Sequence, residues 1–202
     1  MRHPAHRRRL LAAIGAITVL AISAGSFAVW SAASPGAKPV PLSTYRNSFM
    51  TFRYPATWSP SVWQTTELHF HPMLYLSTQP THNPCRTSAA VGGGTSITCG
   101  AAVDRLAPGG VVVVWENRGY PGTTLADLPG RSTRIDGRPA KISTQRPGNC
   151  GGVGADEEIS VAVARPVPSN WTSIDACLRG PGLAEQERQV QALLGSTRFL
   201  TP

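Results

Sequence analysis

Short runs of apolar residues alternate with turn residues along most of this chain, and their lengths suit strands more than helices. Phe49-Met50-Thr51-Phe52-Arg53-Tyr54 alternates and stops at Pro55. Met73–Thr78, Ile97–Val103 and Val111–Glu116 follow as further strands. Val111–Val114 is β-branched throughout, the composition of a central strand covered on both faces. Arg131–Ile135 runs into Asp136-Gly137, a hairpin dipeptide, and Pro139–Thr144, Glu158–Ala164 and Thr172–Leu178 complete the set. One segment has helical period. From Leu183 to Leu194, the apolar residues Leu183, Val190, Leu193 and Leu194 share a face. Glu185 and Glu187 sit near its N-terminus, and Gly195 fits its C-terminal cap. A shorter helix is expected over Thr123–Leu128. Many strands and few helices predict an α+β fold with an antiparallel sheet.

The first residues have a different pattern. Leu10–Trp30 holds no charged residue, and its 21 residues span about 30 Å as a helix, the thickness of a bilayer's hydrocarbon core. Residues 1–9 carry four arginines, which predicts a cytoplasmic N-terminus and an exported remainder. The expected organisation is a basic tail over 1–9, a transmembrane anchor or signal segment over 10–30, a Pro-rich linker over 31–44 and an exported domain over 45–202. Cleavage would make the protein secreted, since small residues at Ser26-Phe27-Ala28 and Ser31-Ala32-Ala33 suit a signal peptidase.

The formal charge of +8 changes little. From Tyr45 onward there are 14 basic and 11 acidic residues, a balance of +3 without clustering, so nucleic acid is not an expected partner. The expected partners are the membrane, through residues 10–30, and an envelope protein, lipid or cell-wall ligand.

Two stretches carry a family likeness. Ser48–Pro55 followed by Trp58 resembles the opening hairpin of PsbP-like sandwich domains. Ala176-Cys177-Leu178, a helix to Leu194 and then Ser196-Thr197-Arg198-Phe199 resemble that family's closing helix and strand. Exported actinobacterial proteins of the LpqN/LpqT type are similar in outline, although this chain lacks their lipidated cysteine. The resemblance implies a sheet flanked by helices that binds partners. It supplies no functional residue, and fold alone does not fix function.

Candidate chemistry is sparse. Cys85, Cys99, Cys150 and Cys177 all fall on the exported side, where an even count favours disulfides. Cys85–Cys99 and Cys150–Cys177 each bracket their own strand and turn, and the second bond is expected to hold the final helix against the sheet. His69 and His71, two residues apart, would share one face of a strand and offer a pair of metal ligands, with His82 near in sequence. Surface histidines are the plainer reading of the three. Gly92–Gly94 and Gly151-Gly152 read as turns, because no Lys-Ser/Thr follows them. Asp156-Glu157-Glu158 reads as a solvated turn before a strand. Trp58, Trp63, Trp115 and Trp171 suit a core or a ligand groove. No catalytic motif is present and no cofactor is called for. A non-catalytic envelope binding module is the expected function, with an enzyme of scattered residues or a metal-binding domain as alternatives.

Overall fold

Period-two alternation organises the chain around one large sheet in the computed structural model, which describes residues 40–63, 73–90, 92–119, 122–165 and 170–200. The strands are β1 (Leu42–Arg46), β2 (Met50–Pro55), β3 (Ser59–Trp63), β4 (Met73–Ser77), β5 (Cys85–Ala89) and β6 (Thr95–Cys99). They continue as β7 (Val111–Gly119), β8 (Arg131–Ile135), β9 (Arg138–Gln145), β10 (Glu157–Ala164), β11 (Asn170–Leu178) and β12 (Arg198–Phe199). The helix α1 is Leu183–Ser196. Every strand pairing among the described residues is antiparallel. Seven strands form one sheet in the order β3-β4-β7-β11-β10-β9-β8, three form a second in the order β1-β2-β12, and β5-β6 is a separate hairpin.

The expectation of an α+β fold with flanking helices is corrected by these elements. Strands take 49% of the described residues and helical turns 16%, with α1 the one α-helix among them. The second expected helix fails for want of length. Between Gly122 and Pro129 only Leu125–Asp127 winds, as a single 3-10 turn, because a costly helical nucleus is not repaid over so few residues. The strands that pattern alone missed are β1, β3, β5 and β12. β1 takes in Leu42, Ser43 and Thr44, the last residues of the expected linker, and β6 ends at Cys99, leaving Ala102 and Val103 buried in irregular chain.

Alternation in β7 divides the interior. Val111, Val113 and Trp115 face the larger core, while Val112 and Val114 face a smaller one with Tyr75, Val103, Leu106 and Val153. A strand apolar on both sides has this placement between β4 and β11. The larger core is closed by the three-stranded sheet and by Val190, Leu193 and Leu194 of α1. Asp136 and Gly137, at φ 51° and 73°, make the tight β8–β9 turn that the dipeptide predicts.

Helix α1 starts on Gly182, whose φ of +94° suits glycine. Its end departs from the expected Gly195 cap. The helix continues through Ser196, and the hydroxyls of Ser196 and Thr197 donate to the Leu193 carbonyl at 2.8 and 3.0 Å. Side-chain donors satisfy that carbonyl, so no left-handed glycine is needed there.

The expected anchor or signal segment over 10–30 lies outside the described residues, as do residues 1–9 and most of the linker. Among the described residues no helix is long and apolar enough to cross a membrane.

Candidate functional site

A cavity of about 220 Å³ lies between the two larger sheets. Strand register explains its position. Leu74 of β4 pairs with Trp115 of β7, and Thr172 of β11 pairs with Asn117 of β7, so Leu74, Trp115, Asn117 and Thr172 project from one face of the large sheet. Opposite them stand Tyr45, Met50 and Phe199, one from each strand of the small sheet. The wall is rigid aromatic packing: Phe52 stacks on Trp115 with centroids 4.7 Å apart, and Tyr45 stacks on Phe52 at 5.2 Å. The mouth is apolar as well. Phe49 and Val62 line it at 57% and 49% exposure, and both are costly to leave in water.

The polar lining is small and fixed. The Asn47 Oδ1 accepts from the backbone N–H groups of Phe49 and Met50 at 2.8 and 2.9 Å, which turns the chain into β2. The Thr172 hydroxyl donates to Asn117 Oδ1 at 3.1 Å. Arg138 and Arg165 complete the lining, and the Arg138 guanidinium sits 4.5 Å over the Phe199 ring. Trp115 is 2% exposed, and among the described residues its indole Nε1 has no hydrogen-bond partner.

Glu116 also borders the cavity, yet strand alternation turns its carboxyl to the other face of the sheet. There it pairs with Arg118, and Arg118 lies 3.7 Å from Asp175. Burial pushes the Glu116 carboxyl above its ordinary value, against the opposing pull of Arg118. The Tyr75 hydroxyl is pushed up too, by burial first and by the Glu116 charge second. The Ser160 and Ser173 hydroxyls donate to the two Asp175 oxygens at 2.6 and 2.7 Å. These groups satisfy one another, as buried polar groups must.

A shallower groove of about 260 Å³ runs between α1 and the β1–β2 edge. Arg188 and Glu185 on its wall already pair with each other.

The four cysteines form the expected bonds, Cys85–Cys99 and Cys150–Cys177, with Cα atoms 4.0 and 5.6 Å apart. His69 and His71 lie outside the described residues. His82 is half exposed and stands 3.8 Å from Asp104. No group of three His, Cys, Asp or Glu side chains placed to hold a metal ion occurs among the described residues. Gly92–Gly94 form the β5–β6 turn, and Gly151-Gly152 fall in a 3-10 turn. Trp58, Trp115 and Trp171 are buried, and Trp115 serves both core and cavity.

The Asp156–Glu158 trio is not a solvated turn, because each carboxylate anchors a different segment. Asp156 accepts from the Gly180 backbone N–H at 2.8 Å. Glu157, fully buried, accepts from Arg146 Nε at 2.6 Å, and Glu158 accepts from the Asn149 backbone N–H at 2.5 Å. Arg146 also reaches toward Glu187 of α1, at 3.7 Å. Desolvation first, and then the like charge of Glu157, hold the Glu187 carboxyl above its ordinary value near 4.5, against the lowering pull of Arg146 and Arg188. An acid whose pKa is raised on folding binds its proton more tightly in the native state. Its contribution to stability is full below about 4.5 and is lost as pH rises through the raised value. Urea midpoints measured from pH 4 to pH 7 are therefore expected to fall with pH in the wild type relative to Glu187→Gln. Parallel profiles for the two proteins would show that Glu187 titrates as it does in the unfolded chain.

Of the four tryptophans that suited a core or a ligand groove, Trp115 lines the cavity; the rest of its lining carried no such expectation. Its polar residues Asn47, Asn117, Arg138, Arg165 and Thr172 come from separate parts of the chain, with no spacing to link them. The available signal was Phe49, an aromatic at the polar end of a strand. A scan against protein-family models gives no match, and no curated protein or solved structure matches the chain either.

Proposed function

We propose that this chain is an exported binding module of a bacterial envelope, non-catalytic, which takes the apolar part of its ligand between the two larger sheets. The arginine cluster followed by Leu10–Trp30 supports export, and two disulfides suit an oxidising compartment. Whether held at the membrane by residues 10–30 or released by cleavage, the domain would meet its ligand outside the cytoplasm.

The cavity carries the reading. Its volume of about 220 Å³ exceeds the roughly 150 Å³ of an engineered apolar cavity that takes up benzene. Leu74, Trp115, Met50 and Phe199 offer apolar surface inside, and Phe49 and Val62 offer it at the entrance. General acid–base chemistry needs titratable groups facing the reacting atoms. Among the described residues the one carboxyl-bearing residue that borders the cavity, Glu116, turns that carboxyl away and pairs it with Arg118.

Displacement of the neutral fluorophore N-phenyl-1-naphthylamine by linear alcohols tests the proposal. Affinity is expected to rise about fourfold per methylene until the cavity is filled, from about 0.8 kcal/mol per buried CH₂. The Phe49→Asp/Val62→Asp double variant changes two half-exposed side chains and is expected to lose binding at least tenfold while keeping its thermal midpoint. Equal binding by this variant and the wild type would place the ligand elsewhere.

A further inference from the structure

We infer that the ligand of this cavity is an anionic amphiphile, whose carboxylate or phosphate head is held by Arg138 and Arg165 while its apolar part enters between the sheets. The inference rests on the cavity being the binding site.

The charge at the rim is one-sided. Arg138 and Arg165 both line the cavity, and among the described residues neither has a carboxylate within ion-pair distance. The acids near the cavity are engaged: Glu116 by Arg118, and Asp136 by the Phe199 backbone N–H at 2.8 Å and by Arg198 at 3.7 Å. Two cations thus face an apolar hollow without counter-charge among the described residues.

Their presentation suits an oxyanion. Arg138 lies over the face of Phe199, and a guanidinium stacked on a ring keeps its in-plane N–H donors available for a forked contact. Arg165 directly follows β10, and its backbone N–H donates to the Asn170 carbonyl at 3.2 Å, which holds the residue at the rim. A separate observation points the same way. The Trp115 indole Nε1, buried in the wall of this cavity, is a donor without an acceptor among the described residues, and such orphans are rare in native proteins. The site offers surplus donors and positive charge, and the matching ligand brings acceptor oxygens and negative charge.

Competition against N-phenyl-1-naphthylamine with decanoate, decyl phosphate, decanol and decylamine decides the matter on the wild-type chain. Decanoate or decyl phosphate is expected to bind at least tenfold tighter than decanol, and decylamine weakest. The anionic advantage should shrink between 50 and 500 mM salt while decanol binding holds. Arg138→Gln/Arg165→Gln should bring the acids to the level of decanol measured in the same variant, and Arg138→Lys/Arg165→Lys should restore part of the advantage. Decanol equal to both acids in the wild type would overturn the anionic head and leave the cavity reading standing. Failure of all four ligands to compete would overturn both. Competition by inorganic phosphate alone at the concentrations effective for decyl phosphate would mark a simple anion site and overturn the amphiphile.

Discussion

Phe52→Ala is expected to destabilise the domain by about 4 kcal/mol, the largest loss for any single substitution considered. Phe52 is 1% exposed and stands where the two larger sheets meet. Its ring lies parallel to Trp115, at an interplanar angle of 4°, and it touches Tyr45 and Tyr54 on its own sheet. Removal takes away the transfer free energy of the ring, leaves a cavity that β-sheets cannot easily close, and breaks an aromatic contact worth about 1 kcal/mol in itself. For a domain of this size each kcal/mol moves the midpoint roughly 2–4 °C, so thermal unfolding should come about 8–16 °C lower. Phe52→Leu keeps most of the volume and should cost about half as much. The same ring backs Trp115, so Phe52→Ala should also weaken binding in the cavity, whereas Phe52→Leu should spare it. A loss under about 1 kcal/mol for Phe52→Ala would mean that the sheets are not joined through this stack.

Some of this architecture was legible in the sequence for physical reasons. Val111–Val114 could only be a strand buried on both faces, because four β-branched residues in a row leave no polar side for water. Asp136-Gly137 announced a hairpin, since few other dipeptides accept the backbone of that turn. Leu183, Val190, Leu193 and Leu194 gave α1 its buried face. The count of layers was not legible. A helix that packs on one sheet and a sheet that packs on another bury the same kind of apolar stripe, so pattern does not say which partner covers it. β1 shows the difficulty: Leu42-Ser43-Thr44-Tyr45-Arg46 follows a Pro-rich stretch, and it becomes a strand because β2 supplies partners from Thr51 to Pro55. The buried carboxylates of Glu157 and Glu158 were equally hidden. A run of three acids looks solvated until Arg146 and the Asn149 backbone arrive from elsewhere in the chain. The cavity follows the same rule, since its arginines and its apolar lining meet only once the sheets have packed.

Removing the Cys150–Cys177 bond, as Cys150→Ala/Cys177→Ala, is expected to cost about 3.5 kcal/mol, the chain-entropy value for a closed loop of 27 residues. The position of the bond corrects its expected role. Cys177 pairs with Val112 in the sheet and faces the smaller core, while α1 packs into the larger core on the opposite face. The bond therefore does not hold the helix. It fixes the 3-10 turn Gly148–Val153, which lays Cys150 and Val153 over the sheet beside Leu106 and Val103. The double variant should loosen that cover and expose the smaller core, with a midpoint roughly 7–14 °C lower and increased binding of an apolar dye at temperatures where the wild type binds none. The Cys85–Cys99 bond closes a loop of similar entropy, about 3 kcal/mol for 14 residues, but it staples a hairpin with no other strand beside it among the described residues. Such a hairpin can open alone, so Cys85→Ala/Cys99→Ala should raise local hydrogen exchange in β5 and β6 and move the global midpoint much less. Hydrogen exchange and urea unfolding on both double variants separate the two roles. A larger global loss from the Cys85–Cys99 pair would place the critical staple in the hairpin and remove the role assigned to the 3-10 turn.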